Sequence, residues 1–548
     1  MKKLRKVFAV IVSLAMVLGL SMTAFAAPAL SQVPKGEVKV YNVNEKSEVI
    51  AYQIVRYDTA GSYVKADGTK PADLKAPTAD EIKAIAKAIA ATADNKGVTP
   101  DKADALYFQK KVLTPNGTSY TGDVDAGMWV VLVKSGGSKI YNPMIVSANV
   151  TADGTVQGGE VDADGSFKEG ASSTIELYAK SDEANVTKSV ADDDKAYEIG
   201  DDIHFTVTAD VPEYSSSYRE VVYQLSDTLQ GGLIFNEESV EVKVNGKTYT
   251  KNQPEFTNAG TTMTIQIDSA TVLDPQNQGE GKVVVTYTAK LTEDAKEALA
   301  ANVNPTTNKV ELEYTNNPSN KDDKTKKDDE TFHYTFGIDA SVFGQNSEIH
   351  KNFIKTEEGT IEEVDGVETK KPGAPLAGAQ FEILRKNENN EYVRVSGIRG
   401  VDADGNTTTD GTTFSDKDGL TKFVGLDANV EYFLREIAAP VGYSKVDTIV
   451  PVKVTAQFEE NGKLKDGWSI TVGDKALDTD ETNVYTWNND GTATVVPPTE
   501  NPYYFENTTL ASLPSTGGIG TTIFTIGGCI IMVAAAGLFF ASRRKSSK

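Results

Sequence analysis

Hydrophobic and polar residues alternate over most of this chain in short runs divided by Gly, Asn, Asp and Pro, which is the period of half-buried β-strands. In the first part, 27–171, the stretches 38–41, 49–55, 128–133 and 140–150 read as strands, rich in β-branched and aromatic residues. A helical period interrupts them once. Thr78 is an N-cap candidate ahead of Asp80 and Glu81, and Ile82, Ile85, Ala86 and Ile89 recur on one helix face. A second, shorter helix is expected over 101–111. The middle part, 172–340, reads as strands at 186–190, 203–211, 220–225, 240–244, 263–267, 283–290 and 309–314, a spacing that predicts an antiparallel sandwich. Its polar run 316–330 reads as a solvated loop or a long hairpin. The third part, 341–511, is again strand-rich. The fold class is therefore mainly β: three domains, the first α+β and the other two sandwiches.

Both ends depart from this pattern. Lys2, Lys3, Arg5 and Lys6 precede an apolar stretch, and Ala24, Phe25 and Ala26 offer small-residue cleavage, so 1–26 reads as a signal peptide and Ala27 as the first mature residue. At the other end, in 512–548, Leu513, Pro514, Ser515, Thr516 and Gly517 are followed by an apolar run over 519–541 and the basic residues Arg543, Arg544 and Lys545. That run is long enough to cross a bilayer of about 30 Å as a helix, with the basic tail held on the cytoplasmic side. Pentapeptide, span and basic tail in this order resemble the sorting signal of Gram-positive surface proteins handled by sortases. The resemblance implies cleavage between Thr516 and Gly517 and transfer of the Thr516 acyl group to an amine.

Composition narrows the remaining choices. A formal charge of −23 argues against nucleic acid as a partner, which demands clustered Lys and Arg. The single cysteine, Cys529, lies in the apolar run, so disulfides cannot staple the exported part. Any covalent reinforcement must use other chemistry.

Strand alternation points several polar side chains inward. In the middle part Lys188 shares a face with Val186 and Val190, Asp227 with Tyr223, Leu225 and Leu229, and Asn308 with Val310, Leu312 and Tyr314. In the third part Lys355 follows Phe353, Glu436 follows Tyr432 and Leu434, and Asn507 follows Tyr503 and Phe505. Buried polar groups of this kind need one another. Two readings remain at this point: a buried ion pair with an amide partner, or a self-made amide bond. In the second, an apolar setting lowers the lysine pKa and raises that of the acid, so that a neutral amine attacks the Asn carbonyl while the protonated acid polarises it and shuttles protons, and ammonia leaves.

Leu376, Ala377, Gly378, Ala379, Gln380 and Phe381, Gly425 and Leu426, and the run from Tyr432 to Tyr443 together resemble the collagen-adhesin B-type immunoglobulin-like domain, with a longer insertion than usual over 458–499. With the sorting signal, this makes the chain similar to the major, shaft-forming pilins that sortases assemble. The resemblance implies isopeptide bonds Lys188 to Asn308, with Asp227 as proton shuttle, and Lys355 to Asn507, with Glu436 in that role. Thr174 to Lys180 alternates so that Ile175, Leu177 and Ala179 face inward and Lys180 outward. The segment resembles the pilin motif of such subunits, although Ala179 stands where a proline is usual and Ala171 where a tryptophan is. By that resemblance Lys180 is the amine that receives Thr516 of another subunit. Tension entering at Lys180 and leaving at Thr516 would then cross only the two domains with internal bonds. Lys39 and Asn149, on terminal strands of the first domain, lack a clear acid partner.

The implied partners are a pilus-specific sortase and neighbouring copies of the chain. Minor pilins, peptidoglycan and any host ligand are left open. The oxygen-rich stretch Asp402, Asp404, Asn406 and Asp410 lacks the spacing of a calcium loop and reads as a polar turn. His204, His333 and His350 have no metal or triad spacing, and no phosphate loop or nucleophile elbow is present. Neither cofactor nor metal is expected. The rival readings are a monomeric wall-anchored adhesin or minor pilin at base or tip, and a wall-anchored secreted enzyme.

Overall fold

The computed structural model describes residues 30–61, 63–66, 79–91, 106–151, 153–158, 173–191, 197, 200–215, 217–230, 232–292, 306–339, 351–364, 366–465, 469–476, 485–487, 493–495, 502–509 and 528–539. The expected cleavage point between Ala26 and Ala27, the residues Leu513 to Gly517, and His350 lie outside them. Of the expected span 519–541 only 528–539 is described, as a helix with exposed apolar side chains such as Ile530 and Val533. Among the described residues no helix is long and apolar enough to cross a membrane.

The chain divides into two units, one of 1–296, 305–334 and 457–465, the other of 297–304, 335–456 and 466–548. The first unit opens with a sheet whose strands run in the order Thr174–Tyr178, Lys35–Tyr41, Ser119–Asp125, Lys110–Asn116, Glu48–Tyr57, Gly127–Lys134, Met144–Val150 and Val156–Gln157. Gly127–Lys134 is apolar on both faces because it is covered on both. Trp129, Val131 and Val133 join a core with Val38 and Val40, while Met128, Val130 and Leu132 meet Ala86, Ile89 and Ala90 of the helix Ala79–Ala91. The second helix expected over 101–111 does not form in its described part. Lys110 and Lys111 open the strand Lys110–Asn116, and the backbone of Gln53 exchanges hydrogen bonds with Phe108 and Gln109, so pairing to a neighbouring strand satisfies the groups a helix would have satisfied internally. Thr174–Tyr178 pairs in parallel with Lys35–Tyr41, so this sheet extends past residue 171.

The middle domain is a sandwich of two antiparallel sheets. One runs Val186–Val190, Asp202–Asp210, Lys282–Leu291, Glu241–Val244 and Lys247–Thr248; the other runs Glu255–Thr257, Thr262–Gln266, Tyr223–Leu229, Thr306–Thr315 and Lys324–His333. Their inner faces share one core, with Phe205, Val207, Val285, Leu225, Val310 and Leu312 among its members. The strand expected at 220–225 begins later, at Tyr223, and runs on to Leu229, which brings Asp227 inside it. Most of the polar run 316–330 becomes the second arm of a long hairpin. There Lys324 and Lys326 pair with Glu313 and Glu311 across the strands, so charge patterning supports the sheet. Residues 457–465 pack on the end of this domain, where Leu464 N–H donates to the Tyr334 hydroxyl and Phe332 N–H to the Asn461 carbonyl.

The second unit holds the third domain. Its main sheet runs Tyr392–Arg394, Gln380–Lys386, Glu431–Ala438, Ile449–Thr455, Ser469–Val472 and Lys475–Ala476, and beside it Phe353–Glu357 and Tyr503–Asn507 form a parallel pair. Phe336–Ile338 pairs with Phe423–Leu426 in this unit.

Candidate functional site

The two inward polar sets of the sequence become two buried clusters. In the middle domain Lys188 lies on the edge strand of one sheet, while Asp227 and Asn308 lie on adjacent strands of the other, where Leu229 is the register partner of Asn308. All three are buried. Lys188 Nζ donates to Asp227 Oδ2 at 2.5 Å and to Asn308 Oδ1 at 2.7 Å. Its surroundings are aromatic, with the Phe205 ring centroid 5.3 Å from Nζ. Burial pushes the Lys188 amine down to about 8, against the opposing pull of Asp227 and Asp329. Asp227 reaches the amine and not the Asn308 carbonyl, as the acid was expected to do; its second oxygen, Oδ1, has no hydrogen-bond partner. A fourth residue, Tyr287, occupies the gap, its hydroxyl 2.7 Å from Lys188 Nζ, from Asp227 Oδ2 and from Asn308 Nδ2. Sequence reasoning missed it because Tyr287 alternates with Val283, Val285 and Ala289 and so reads as ordinary core.

In the third domain the paired strands Phe353–Glu357 and Tyr503–Asn507 align Lys355 with Phe505 and Glu357 with Asn507. Lys355 and Asn507 are therefore diagonal neighbours on one face, and each is fully buried. Lys355 Nζ donates to the carbonyls of Phe505 at 2.9 Å and Thr356 at 3.1 Å. Glu436 grips the amide of Asn507, whose Nδ2 donates to Oε1 at 3.0 Å and to Oε2 at 3.2 Å, and Asn507 Oδ1 has no partner. Burial pushes Lys355 down to about 8, opposed by Glu436 and Glu506, and pushes the Glu436 carboxyl up, opposed by the Val446 N–H, the Asn507 amide and Lys355. The Lys355 strand is anchored by a residue the sequence did not single out. Asp339 is buried at a φ of 51°, and its carboxylate accepts from the backbone N–H groups of Asn352, Phe353 and Thr421. Gly419 closes the other side, since a Cβ there would lie 2.4 Å from the Lys355 carbonyl oxygen.

Three parts of the chain match known families: 34–181 the T6 antigen Ig like domain, 360–468 a prealbumin-like fold domain, and 506–548 the LPXTG cell wall anchor motif. The trypsin-resistant surface T6 protein of Streptococcus pyogenes serotype M6 is 24% identical over an alignment covering 97% of this chain and 98% of that protein. The solved T6 backbone pilin of the same serotype, a modular three-domain structure, superposes with a TM-score of 0.53 at 19% identity, covering 88% of this chain and 100% of that one. The major pilin SpaD of Corynebacterium diphtheriae gives 0.45 at 15% identity, covering 87% of this chain and 98% of its own. This chain shares the fold of the solved T6 backbone pilin. Its LPXTG cell wall anchor motif makes it an exported surface protein held at the cell wall.

Lys180 follows the strand Thr174–Tyr178 and is exposed, while Ile175 and Ala179 are buried. Its carbonyl accepts from Asn142 N–H, and Ser181–Asp182 pairs with Ile140–Tyr141, so the backbone around Lys180 is held on both sides. Beside it the exposed Tyr178 ring stacks on Tyr41 at 5.1 Å, and both hydroxyls donate to Glu176. Lys39 is partly exposed and pairs with Glu37, and Asn149 Oδ1 accepts from Ser147, so the structure does not bring Lys39 and Asn149 together. Asp402 Oδ1 accepts from the N–H groups of Asp404 and Asn406, and Asp410 Oδ1 from that of Thr412, which are turn contacts. Among the described residues no group of His, Cys, Asp and Glu is arranged to hold a metal. His204 is exposed, and His333 is buried against Tyr197 and Phe205.

Proposed function

We propose that this chain is the shaft subunit of a covalent pilus, linked through Thr516 to Lys180 of the next copy by a sortase, and reinforced by isopeptide bonds Lys188 to Asn308 and Lys355 to Asn507. It is a structural polymer unit and a sortase substrate. Each internal bond forms once, with Asp227 or Glu436 moving protons, and is not a turnover reaction.

The observation that carries this reading is the Lys188 amine held 2.7 Å from the Asn308 amide oxygen and 2.5 Å from Asp227 in a buried core. Such placement supplies the effective concentration that amide exchange lacks in water. Burial also favours the neutral, nucleophilic amine. The Lys355, Glu436 and Asn507 set has the same composition and burial, with the acid on the amide instead of the amine. A pull from Lys180 to Thr516 would run through the two domains that contain these sets; the middle-domain bond would tie its first strand to the penultimate strand Thr306–Thr315, and the third-domain bond would tie Phe353–Glu357 to Tyr503–Asn507.

Intact mass of the exported chain tests the internal bonds. A mass lower than that of the sequence by two ammonias is expected, and a full mass overturns them. Ladders of wall-released material on denaturing gels test the polymer, and a single band would leave a monomeric surface protein.

A further inference from the structure

We infer that Tyr287 is a catalytic residue of the middle-domain crosslink, passing protons between Asp227 and the departing amide nitrogen of Asn308. The inference rests on the isopeptide reading above and adds to it a group that reading does not need in the third domain.

The two clusters differ in how the acid meets the amide. Glu436 touches Asn507 Nδ2 with both oxygens, so it can protonate the leaving nitrogen directly. Asp227, one methylene shorter, bonds the amine and the Tyr287 hydroxyl and makes no hydrogen bond to Asn308. The Tyr287 hydroxyl links Asp227 to the amide nitrogen of Asn308, accepting from Asn308 Nδ2 and donating to Asp227 Oδ2, each at 2.7 Å, whereas Lys188 Nζ meets the amide at its oxygen. Tyr287 comes from the sheet that carries Lys188, and Asp227 and Asn308 from the facing sheet, so the bridge closes only when the sandwich is packed. A hydroxyl that both donates and accepts can relay a proton without a net change of charge.

The step balances as follows. The neutral Lys188 amine attacks Asn308 Cγ, and the new Nζ–Cγ bond forms as Nζ gives up one proton to the Asp227 carboxylate. Asp227 passes that proton to the Tyr287 oxygen while the Tyr287 hydroxyl delivers its own to Nδ2. The Cγ–Nδ2 bond breaks and ammonia leaves. Asp227 and Tyr287 end as they began, and Lys188 keeps one N–H in the amide.

The test follows bond formation in pulse-labelled full-length chain by peptide mass analysis, scoring the Lys188–Asn308 and Lys355–Asn507 links in the same molecules. Tyr287→Phe should slow the first link by about 100-fold or more, the usual scale of general acid–base assistance, and leave the second unchanged. Phe235→Leu, which alters packing 5.0 Å from the Tyr287 ring without touching its hydroxyl, should slow the first link far less. A Tyr287→Phe chain that links as fast as wild type overturns the inference, as does equal slowing by Phe235→Leu. Protease resistance reports whether the Phe variant folds. If it does not, ring-fluorinated tyrosine throughout the chain, which acidifies the hydroxyl at nearly constant volume, must change the first rate relative to the second, and an unchanged ratio overturns the role. A wild-type chain without the Lys188–Asn308 link sinks the isopeptide reading itself, a result distinct from all of these.

Discussion

Lys188 and Asn308 stand 120 residues apart in the chain and on opposite sheets of the sandwich, yet Nζ of the first lies 2.7 Å from Oδ1 of the second. A bond between them would close the domain nearly end to end. By the chain-entropy argument used for disulfides, a loop of that size is worth about 4–5 kcal/mol. Asn308→Ala should therefore lower the middle domain's unfolding free energy by roughly that amount and restore one ammonia to the mass. Calorimetry beside mass spectrometry checks both, and a restored mass with unchanged melting would contradict the mechanical role.

Asp227→Ala should cost more than Asn308→Ala. Both prevent the bond, but the first also strips the buried Lys188 of its counter-charge, an effect worth about 3–5 kcal/mol. Melting should fall in the order wild type, Asn308→Ala, Asp227→Ala. The reverse order would mean that Asp227 is not paired with Lys188 in the unlinked fold.

The pH dependence of bond formation follows from the amines. Lys188 and Lys355 are each pushed down to about 8 by burial. At pH 7 about a tenth of such an amine is neutral, against about one in three thousand for an ordinary lysine. Linking rates should fall about tenfold per unit as pH drops below 8 and stop rising above it. The exported chain folds outside the membrane, so pulse-labelled cells held in media of different pH provide the measurement. A flat profile would exclude the neutral amine as nucleophile.

Lys180→Ala should abolish the ladder of covalent polymers and leave the chain folded, because Lys180 is exposed and the backbone around it is held by hydrogen bonds that the substitution keeps. Gels of wall-released material, read beside the melting curve of the exported chain, separate the two effects. A surviving ladder would move the linkage to another lysine.

Asp339→Ala should destabilise the third domain by at least about 2 kcal/mol, since it orphans three buried backbone N–H groups. Burial pushes the Asp339 carboxyl up to about 7. The native fold thus holds this proton more tightly than the unfolded chain, and Asp339 makes stability decline as pH rises from about 4 to about 7. Removing the side chain should flatten that slope in thermal melts of the third domain, and an unaltered slope would assign it to other groups.

Alternation alone placed Lys188, Asp227, Asn308, Lys355, Glu436 and Asn507 inward, because a strand's period sends every second side chain to one face whatever it packs against. The C-terminal sorting signal was equally legible, being a linear pattern of motif, apolar length and charge. Which sheet each strand joined was not written locally. Residues 110 and 111, part of an expected helix, became a strand because Glu48–Tyr57 offered its backbone partners. The polar arm Lys324–His333 became a sheet edge because glutamates stood across from its lysines. Tyr287 and Asp339 were decided wholly by tertiary structure. A tyrosine in an apolar alternation carries no local sign that its hydroxyl meets Asp227 and Asn308 of the facing sheet, and an aspartate in a bend carries none that the backbone donors of Asn352, Phe353 and Thr421 converge on it. Sequence decides which face a residue occupies; only packing brings Lys188 Nζ within hydrogen-bonding distance of Asp227 and Asn308.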